Sequence, residues 1–191
     1  TDESIIAGET YTTKVTKENK SALGMNRNEF FEYKKERCMD LARKGATVGE
    51  IAKAFGCRVL AFKRTPDEIF ETVSLEQLCK ECDIISIHLP HNEKTDRIFN
   101  KEIISKMKKG VIIVNTARGK VIDEEAVKDG LLNGTIGGFG TDVYPVEPFS
   151  DGSIYNELKD MENVCMTPHM AWGGIETRNR CVSIIARNIK D

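Results

Sequence analysis

The sequence predicts an α/β protein built on a doubly wound parallel sheet. Three observations carry that prediction. Short apolar runs recur at Arg58–Phe62, Asp83–His88, Val111–Asn115, Ile136–Thr141 and Val164–Thr167. Between them lie short amphipathic segments that open on helix-capping residues. Several of those segments close on glycine. Continuous apolar strands that alternate with short helices belong to a parallel sheet covered on both faces. Such sheets bind their ligands at the carboxyl ends of the strands.

The elements follow in order. Residues 1–26 are polar, rich in Thr, Lys and Glu, and lack a sustained period. They predict a flexible or poorly ordered tail with one short strand near Tyr11. Residues 27–191 form the predicted domain. Residues 27–43 read as a helix, with Phe30, Phe31, Tyr33, Cys38, Met39 and Leu41 set among charges. Thr47-x-x-Glu50 is a capping box that opens a helix from Val48 to Phe55, and Gly56 ends it. After the strand Arg58–Phe62, Ser74-x-x-Gln77 caps a helix running through Glu81. Asn100 caps a helix running through Lys108, which Gly110 stops. Asp123 caps a helix to Leu132, with Gly134 behind it. Val182, Ile185, Ala186 and Ile189 mark one face of a closing helix.

Composition excludes several classes of function. The chain of 191 residues carries 28 basic and 30 acidic side chains, so no global field draws it to nucleic acid or membrane. No apolar run approaches the roughly 20 residues that span a bilayer. No basic-then-apolar leader opens the chain, and a cytoplasmic protein is expected. The six cysteines are then reduced thiols. Cys79-x-x-Cys82 lacks a second pair, so it reads as half-buried helical thiols. No metal site is expected.

The chemistry lies at three strand ends. Val111–Gly119 ends in Asn115-Thr-Ala-Arg-Gly119, a second run reads Asp142-Val-Tyr-Pro-Val-Glu-Pro148, and a third reads Thr167-Pro-His169. A doubly wound sheet gathers these ends along one edge. Arg118 offers a fixed cationic fork for a carboxylate. His169 is a proton carrier near neutral pH, and Glu147 is an acid able to orient it.

Asn-Thr-Ala-Arg-Gly, Asp-Val-Tyr-x-x-Glu-Pro and Thr-Pro-His-x-Ala-Trp, in that order, resemble the D-isomer-specific 2-hydroxyacid dehydrogenases. Within them the chain is most similar to the glyoxylate/hydroxypyruvate reductase and glycerate dehydrogenase type. The resemblance runs from about Gly45 to the C-terminus. It implies a Rossmann-like NAD(P)-binding domain that moves a hydride between NAD(P)H and a small 2-oxo or 2-hydroxy acid. It implies Arg118, Glu147 and His169 as the catalytic set and Asp142 beside the nicotinamide. Pro90, Thr95, Thr116 and Ala117 become cofactor contacts, and Trp172 an aromatic wall of the substrate pocket. His91, in the same loop as Pro90, reads as exposed and non-catalytic. A homodimer is implied.

The N-terminal part departs from the pattern. A nucleotide-binding unit opens with a strand and then Gly-x-Gly-x-x-Gly before a helix. Counting back from Phe55-Gly56 puts those glycines at Asp40, Ala42 and Gly45. Only Gly45 survives, and Glu32–Arg37 reads as helix, so the first strand and phosphate loop are degenerate. The family's substrate domain is expected to be missing, or supplied by another chain, and the chain alone to turn over little. At the end of the second strand, Lys63 stands where Asp would mark NAD preference, with Arg64 beside it, which leans toward NADP. Two other readings stay open. The chain is a truncated remnant that binds without catalysis, or residues 35–57 belong to a helix-turn-helix DNA-binding chimera. The second reading needs a polar reader helix, and Arg58–Phe62 is strand-like instead.

Overall fold

In the computed structural model, residues 9–10, 27–65 and 69–190 are described. Their elements are β1 (Glu9–Thr10), α1 (Arg27–Arg43), α2 (Val48–Ala54), β2 (Arg58–Ala61), β3 (Glu71–Thr72), α3 (Leu75–Glu81) and β4 (Ile84–Ile87). There follow α4 (Lys101–Ser105), β5 (Val111–Asn115), a 3-10 turn at Gly119–Val121 and α5 (Glu124–Leu132). The chain closes with β6 (Ile136–Thr141), α6 (Tyr155–Leu158), β7 (Val164–Met166) and α7 (Ile175–Lys190). The expected tail lies outside the described residues except at β1, which stands just before the strand position expected near Tyr11.

The seven strands form one sheet in the order β3-β2-β1-β4-β5-β6-β7. The pairs β2/β3, β4/β5, β5/β6 and β6/β7 are parallel. This is the doubly wound arrangement, with its chain reversal at the centre. That central place, where a first parallel strand would lie, is held by β1. It pairs antiparallel with both neighbours, Glu9 facing Val59 on one side and Ile84 on the other. Two polar residues cannot announce a strand by periodicity, and here pairing alone makes one.

The capping signals act as the sequence suggests. Thr47, Ser74, Asn100 and Asp123 each accept a hydrogen bond from the backbone N–H three residues on. At Thr47 the box is reciprocal, with Glu50 Oε2 accepting from Thr47 N at 2.7 Å. One helix differs. α4 ends at Ser105, short of Lys108, because Lys106 N–H and Met107 N–H bond to Ile103 and Ile104, three residues back. That tightening turns Met107 into the core.

The main core lies on the face covered by α3, α4 and α5. Leu78, Cys79, Cys82, Ile85, Ile87, Ile104, Ile113, Val127, Leu131, Ile136 and Phe139 pack there. A smaller cluster joins Ala52 of α2 to Val59, Ala61 and Phe70. Gly49 lets α2 approach, since a Cβ there would stand 2.4 Å from the Phe70 ring. Among the described residues the second face is the less buried of the two. Val111, Ile113 and Asn115 are buried while Ile112 is 41% exposed. Cys79 and Cys82 are fully buried rather than half-buried, and burial pushes both thiols up to about 12. Among the described residues no helix is long and apolar enough to cross a membrane.

Candidate active site

Four loops leave the carboxyl ends of the adjacent strands β4, β5, β6 and β7, and their order in the sheet sets the site. A cavity of about 300 Å³ is lined by His91, Arg118, Gly119, Lys120, Val143, Tyr144, Pro145, Glu147 and His169. Arg118, Glu147 and His169, far apart in sequence, therefore border one space. His91, expected to stand apart from the chemistry, lines the same cavity, although its exposure is as expected.

The loop after β5 is shaped by Asn115, which is fully buried. Its amide donates to the Arg118 carbonyl at 3.0 Å, and its Oδ1 accepts from Ala117 N at 3.1 Å. The exposed guanidinium of Arg118 donates to the Ala117 carbonyl at 2.6 Å. Gly119 then brings this loop against the next. A Cβ there would stand 2.0 Å from the Tyr144 carbonyl carbon, so only glycine permits the approach. Asn115 and Gly119 were visible as motif letters, but sequence alone gave them no task.

Glu147 and His169 form a pair, His169 Nδ1 lying 2.5 Å from Glu147 Oε2. The other carboxylate oxygen accepts from Tyr144 N at 2.8 Å. The His169 and Tyr144 bonds hold the Glu147 carboxyl below its ordinary value of 4.5. With Nδ1 committed, Nε2 is the ring nitrogen left for a ligand. His169 holds φ at +51°, a left-handed backbone that costs about 1 kcal/mol or more in a non-glycine residue. Its surroundings impose it. His169 N donates to the Thr167 carbonyl at 3.0 Å, and Trp172 Nε1 donates to the His169 carbonyl at 2.8 Å.

Asp142 fastens the same loop to β6. Its Oδ1 accepts from Thr167 Oγ1 at 2.5 Å and Met170 N at 2.8 Å, and Oδ2 accepts from Ala171 N at 2.8 Å. Burial alone would raise this carboxyl, but the bonds from Thr167, Ala171 and Met170, with the nearby His169, together hold it low. The structure thus gives Asp142 protein partners on both oxygens. Tyr144 adds a second tie, its hydroxyl donating to the Thr167 carbonyl at 2.8 Å. Trp172 is 61% exposed beside the site.

The expected cofactor contacts fall in two groups. Pro90, Thr95, Thr116, Ala117 and Asp142 cluster on the loops after β4, β5 and β6. Thr95 is buried, donating to the Pro90 carbonyl at 2.6 Å and accepting from Asn92 N at 2.8 Å, so it sets the shape of its own loop. Lys63, half-buried, and Arg64, exposed, follow the end of β2. Gly45 is placed otherwise. Gly45 N bonds to Ala42 O and Ala46 N to Leu41 O, the two bonds of a Schellman helix end, with Gly45 at φ +87°. Asp40 and Ala42 lie inside α1, and Asp40 pairs with Lys44 at 2.7 Å. Residues 40–45 therefore do not fit a pyrophosphate cradle.

A mostly parallel, doubly wound sheet thus carries Arg118 and the His169–Glu147 pair at its strand ends. Residues 32–171 match the family D-isomer specific 2-hydroxyacid dehydrogenase, NAD binding domain, and the chain belongs to that family. It is 44% identical over 139 residues to a hydroxypyruvate reductase of Thermotoga maritima, covering 71% of this chain and 45% of that protein. A glyoxylate reductase of Korarchaeum cryptofilum is 38% identical over 155 residues, with 78% and 46% covered. The fold is similar to D-lactate dehydrogenase from Aquifex aeolicus complexed with NAD and lactic acid, at TM-score 0.64 and 32% identity, covering 73% and 48% of the two chains. It is also similar to a D-isomer specific 2-hydroxyacid dehydrogenase from Xanthobacter autotrophicus Py2 in complex with NADPH, at TM-score 0.58 and 31% identity, covering 63% and 39%. The chain spans less than half the length of each of these proteins.

Proposed function

We propose that residues 27–191 are the coenzyme-side domain of an oxidoreductase that interconverts a small 2-oxo acid and its 2-hydroxy acid, with glyoxylate and hydroxypyruvate as the first candidates. The observation that carries this reading is the single cavity bordered by Arg118 and the His169–Glu147 pair. Arg118 grips the substrate carboxylate and polarises the adjacent carbonyl. His169, through Nε2, gives a proton to the carbonyl oxygen on reduction and takes it back on oxidation. Glu147 keeps Nδ1 occupied and so fixes which nitrogen faces the substrate. A nicotinamide, if bound beside this cavity, would supply or accept the hydride at C2. Trp172 walls the pocket, and Asp142, with Pro90, Thr95, Thr116 and Ala117, shapes the nicotinamide end.

Closure over the substrate is assigned to a part of the enzyme outside residues 27–191. The enzyme works as a homodimer in the cytoplasm, a reading supported by the unbridged, buried thiols of Cys79 and Cys82 and by the apolar stripe on α7. Lys63 and Arg64 favour NADP(H). Titration of the chain with NADH and NADPH, followed by Trp172 fluorescence, tests the reading. Saturable binding of at least one is expected. Binding of neither would leave the fold without this function.

A further inference from the structure

The His169–Glu147 pair is not held by its own contact alone. The two side chains are 42% and 35% exposed, and an ion pair that open to water fixes its geometry weakly. Packing does not supply the rest. A second cavity, of about 440 Å³, lies against the pair beside the one already described. Tyr144, Glu147 and His169 border both spaces. A pair standing between two cavities must be held by bonds to the frame around it.

Those bonds converge on Tyr144. Its backbone N donates to Glu147 Oε1 at 2.8 Å, which leaves Oε2 for His169. Its hydroxyl donates to the Thr167 carbonyl at 2.8 Å. The same carbonyl accepts from His169 N at 3.0 Å. Glu147 and His169 are therefore fastened to opposite ends of one residue. A tyrosine has two side-chain torsions and a rigid ring, so it sets the separation of those ends. The ring itself is clamped. Phe149 lies 4.9 Å from it between centroids, and Tyr155 meets it edge-on at 4.8 Å. Tyr155 is buried at the start of α6. Gly119, next to Arg118, packs on the Tyr144 carbonyl carbon, where a Cβ would stand 2.0 Å away. The loop bearing the arginine is thus seated on the same residue.

We infer that Tyr144 is a positioning residue of this site, its hydroxyl keeping the His169 ring in register with Glu147. This rests on the acid–base role proposed above for His169. Tyr144 moves no proton itself, since its hydroxyl hydrogen is spent on the Thr167 carbonyl. Loss of the hydroxyl frees that carbonyl and lets the backbone under His169 turn. The bond from Nδ1 to Glu147, which selects the tautomer, then weakens.

The full chain, isotope-labelled at the ring nitrogens of its three histidines, would be followed in alkaline buffer, where imidazole is neutral. The nitrogen shifts of His169 give its ratio of Nδ1–H to Nε2–H tautomers. Tyr144→Phe keeps the ring and removes one oxygen. It is expected to lower the ratio about threefold or more, the size of one lost hydrogen bond. Tyr155→Phe, which trims the packed neighbour instead, should leave the ratio unchanged. In Glu147→Ala the selecting bond is absent, so adding Tyr144→Phe should have no further effect. An unchanged ratio in Tyr144→Phe would overturn the inference. So would an equal fall in Tyr155→Phe, or an undiminished fall in the Glu147→Ala background, because either marks general loosening. The proposed function is judged separately, by movement of the wild-type His169 signals when glyoxylate is added with NADH or NADPH. Signals that stay still would overturn that function, while the tautomer ratio would still decide the role of Tyr144.

Discussion

His169 is held by contacts from three directions: Glu147 on Nδ1, Trp172 on its carbonyl, and Asp142 through the next two backbone N–H groups. Those contacts hold His169 at φ +51° against the usual cost of a left-handed backbone. If the holo chain reduces glyoxylate or hydroxypyruvate, His169→Asn should lower turnover about a hundredfold or more, the usual size of a lost general acid. Wild-type-like turnover in that variant would remove His169 from the mechanism. The Glu147 carboxyl gives a pH prediction. Its folded value lies below the ordinary 4.5, so it favours the folded state fully above that value and ceases to as pH falls through the depressed one. The gap in melting temperature between wild type and Glu147→Gln should be widest above about pH 5 and close on acidification. A gap independent of pH would mean the charge of Glu147 is not what stabilises the pair. The meeting of Arg118, Glu147 and His169 in one cavity was legible in sequence because each follows an apolar run. Asn115, Gly119 and Tyr144 were not, because Asn115 and Tyr144 act through side-chain bonds to loop backbone and Gly119 through a close approach between loops.

Helix and strand identities were legible where side chains speak locally. Four caps could be read off because Thr, Ser, Asn and Asp bond within three residues of themselves. The end of α4 was not legible, since the apolar and charged pattern runs on to Gly110 while the backbone tightens at Lys106. β1 was hidden for a different reason: its two residues owe their state to β2 and β4, far along the chain. The same limit applies to the phosphate loop. Counting residues places glycines at 40, 42 and 45, but α1 runs through Arg43 and uses Gly45 as its end. Restoring glycine at Asp40 and Ala42 should therefore not build a cradle. It should loosen α1 by up to about 1 kcal/mol per site, the cost of glycine in an exposed helix, and remove the Asp40–Lys44 pair. Lower helical circular dichroism with unchanged dinucleotide affinity is expected. A gain in affinity would show that residues 40–45 hold pyrophosphate after all.

At the scale of the molecule, two exposed surfaces can be tested for partners. On α7, Ile175, Val182 and Ile185 are 63%, 64% and 52% exposed and lie with Ala186 along one stripe. Sedimentation should find a dimer that Val182→Glu with Ile185→Glu converts to monomer, and a monomeric wild type would exclude this face as the contact. The other surface is the strand-end edge from β2 to β7, along which an extended dinucleotide lies in a doubly wound sheet. Among the described residues no glycine cradle lies along its middle, which leaves the adenosine end as the place to test cofactor preference. That end is set by the residues after β2. A carboxylate there accepts bonds from the ribose hydroxyls of NAD, whereas cations suit the 2′-phosphate of NADP. Lys63 and Arg64 stand at this place. Arg64, exposed, can fork onto phosphate oxygens, and Lys63 adds charge beside it. NADPH should therefore bind more tightly than NADH to the unmodified chain at one ionic strength. The double variant Lys63→Asp, Arg64→Ala should lose about tenfold or more in NADPH affinity, as expected for removing charge-assisted bonds to phosphate, and keep or gain affinity for NADH. Tighter NADH binding by the unmodified chain would reverse the assignment, because it would mean that neither cation meets the 2′-phosphate.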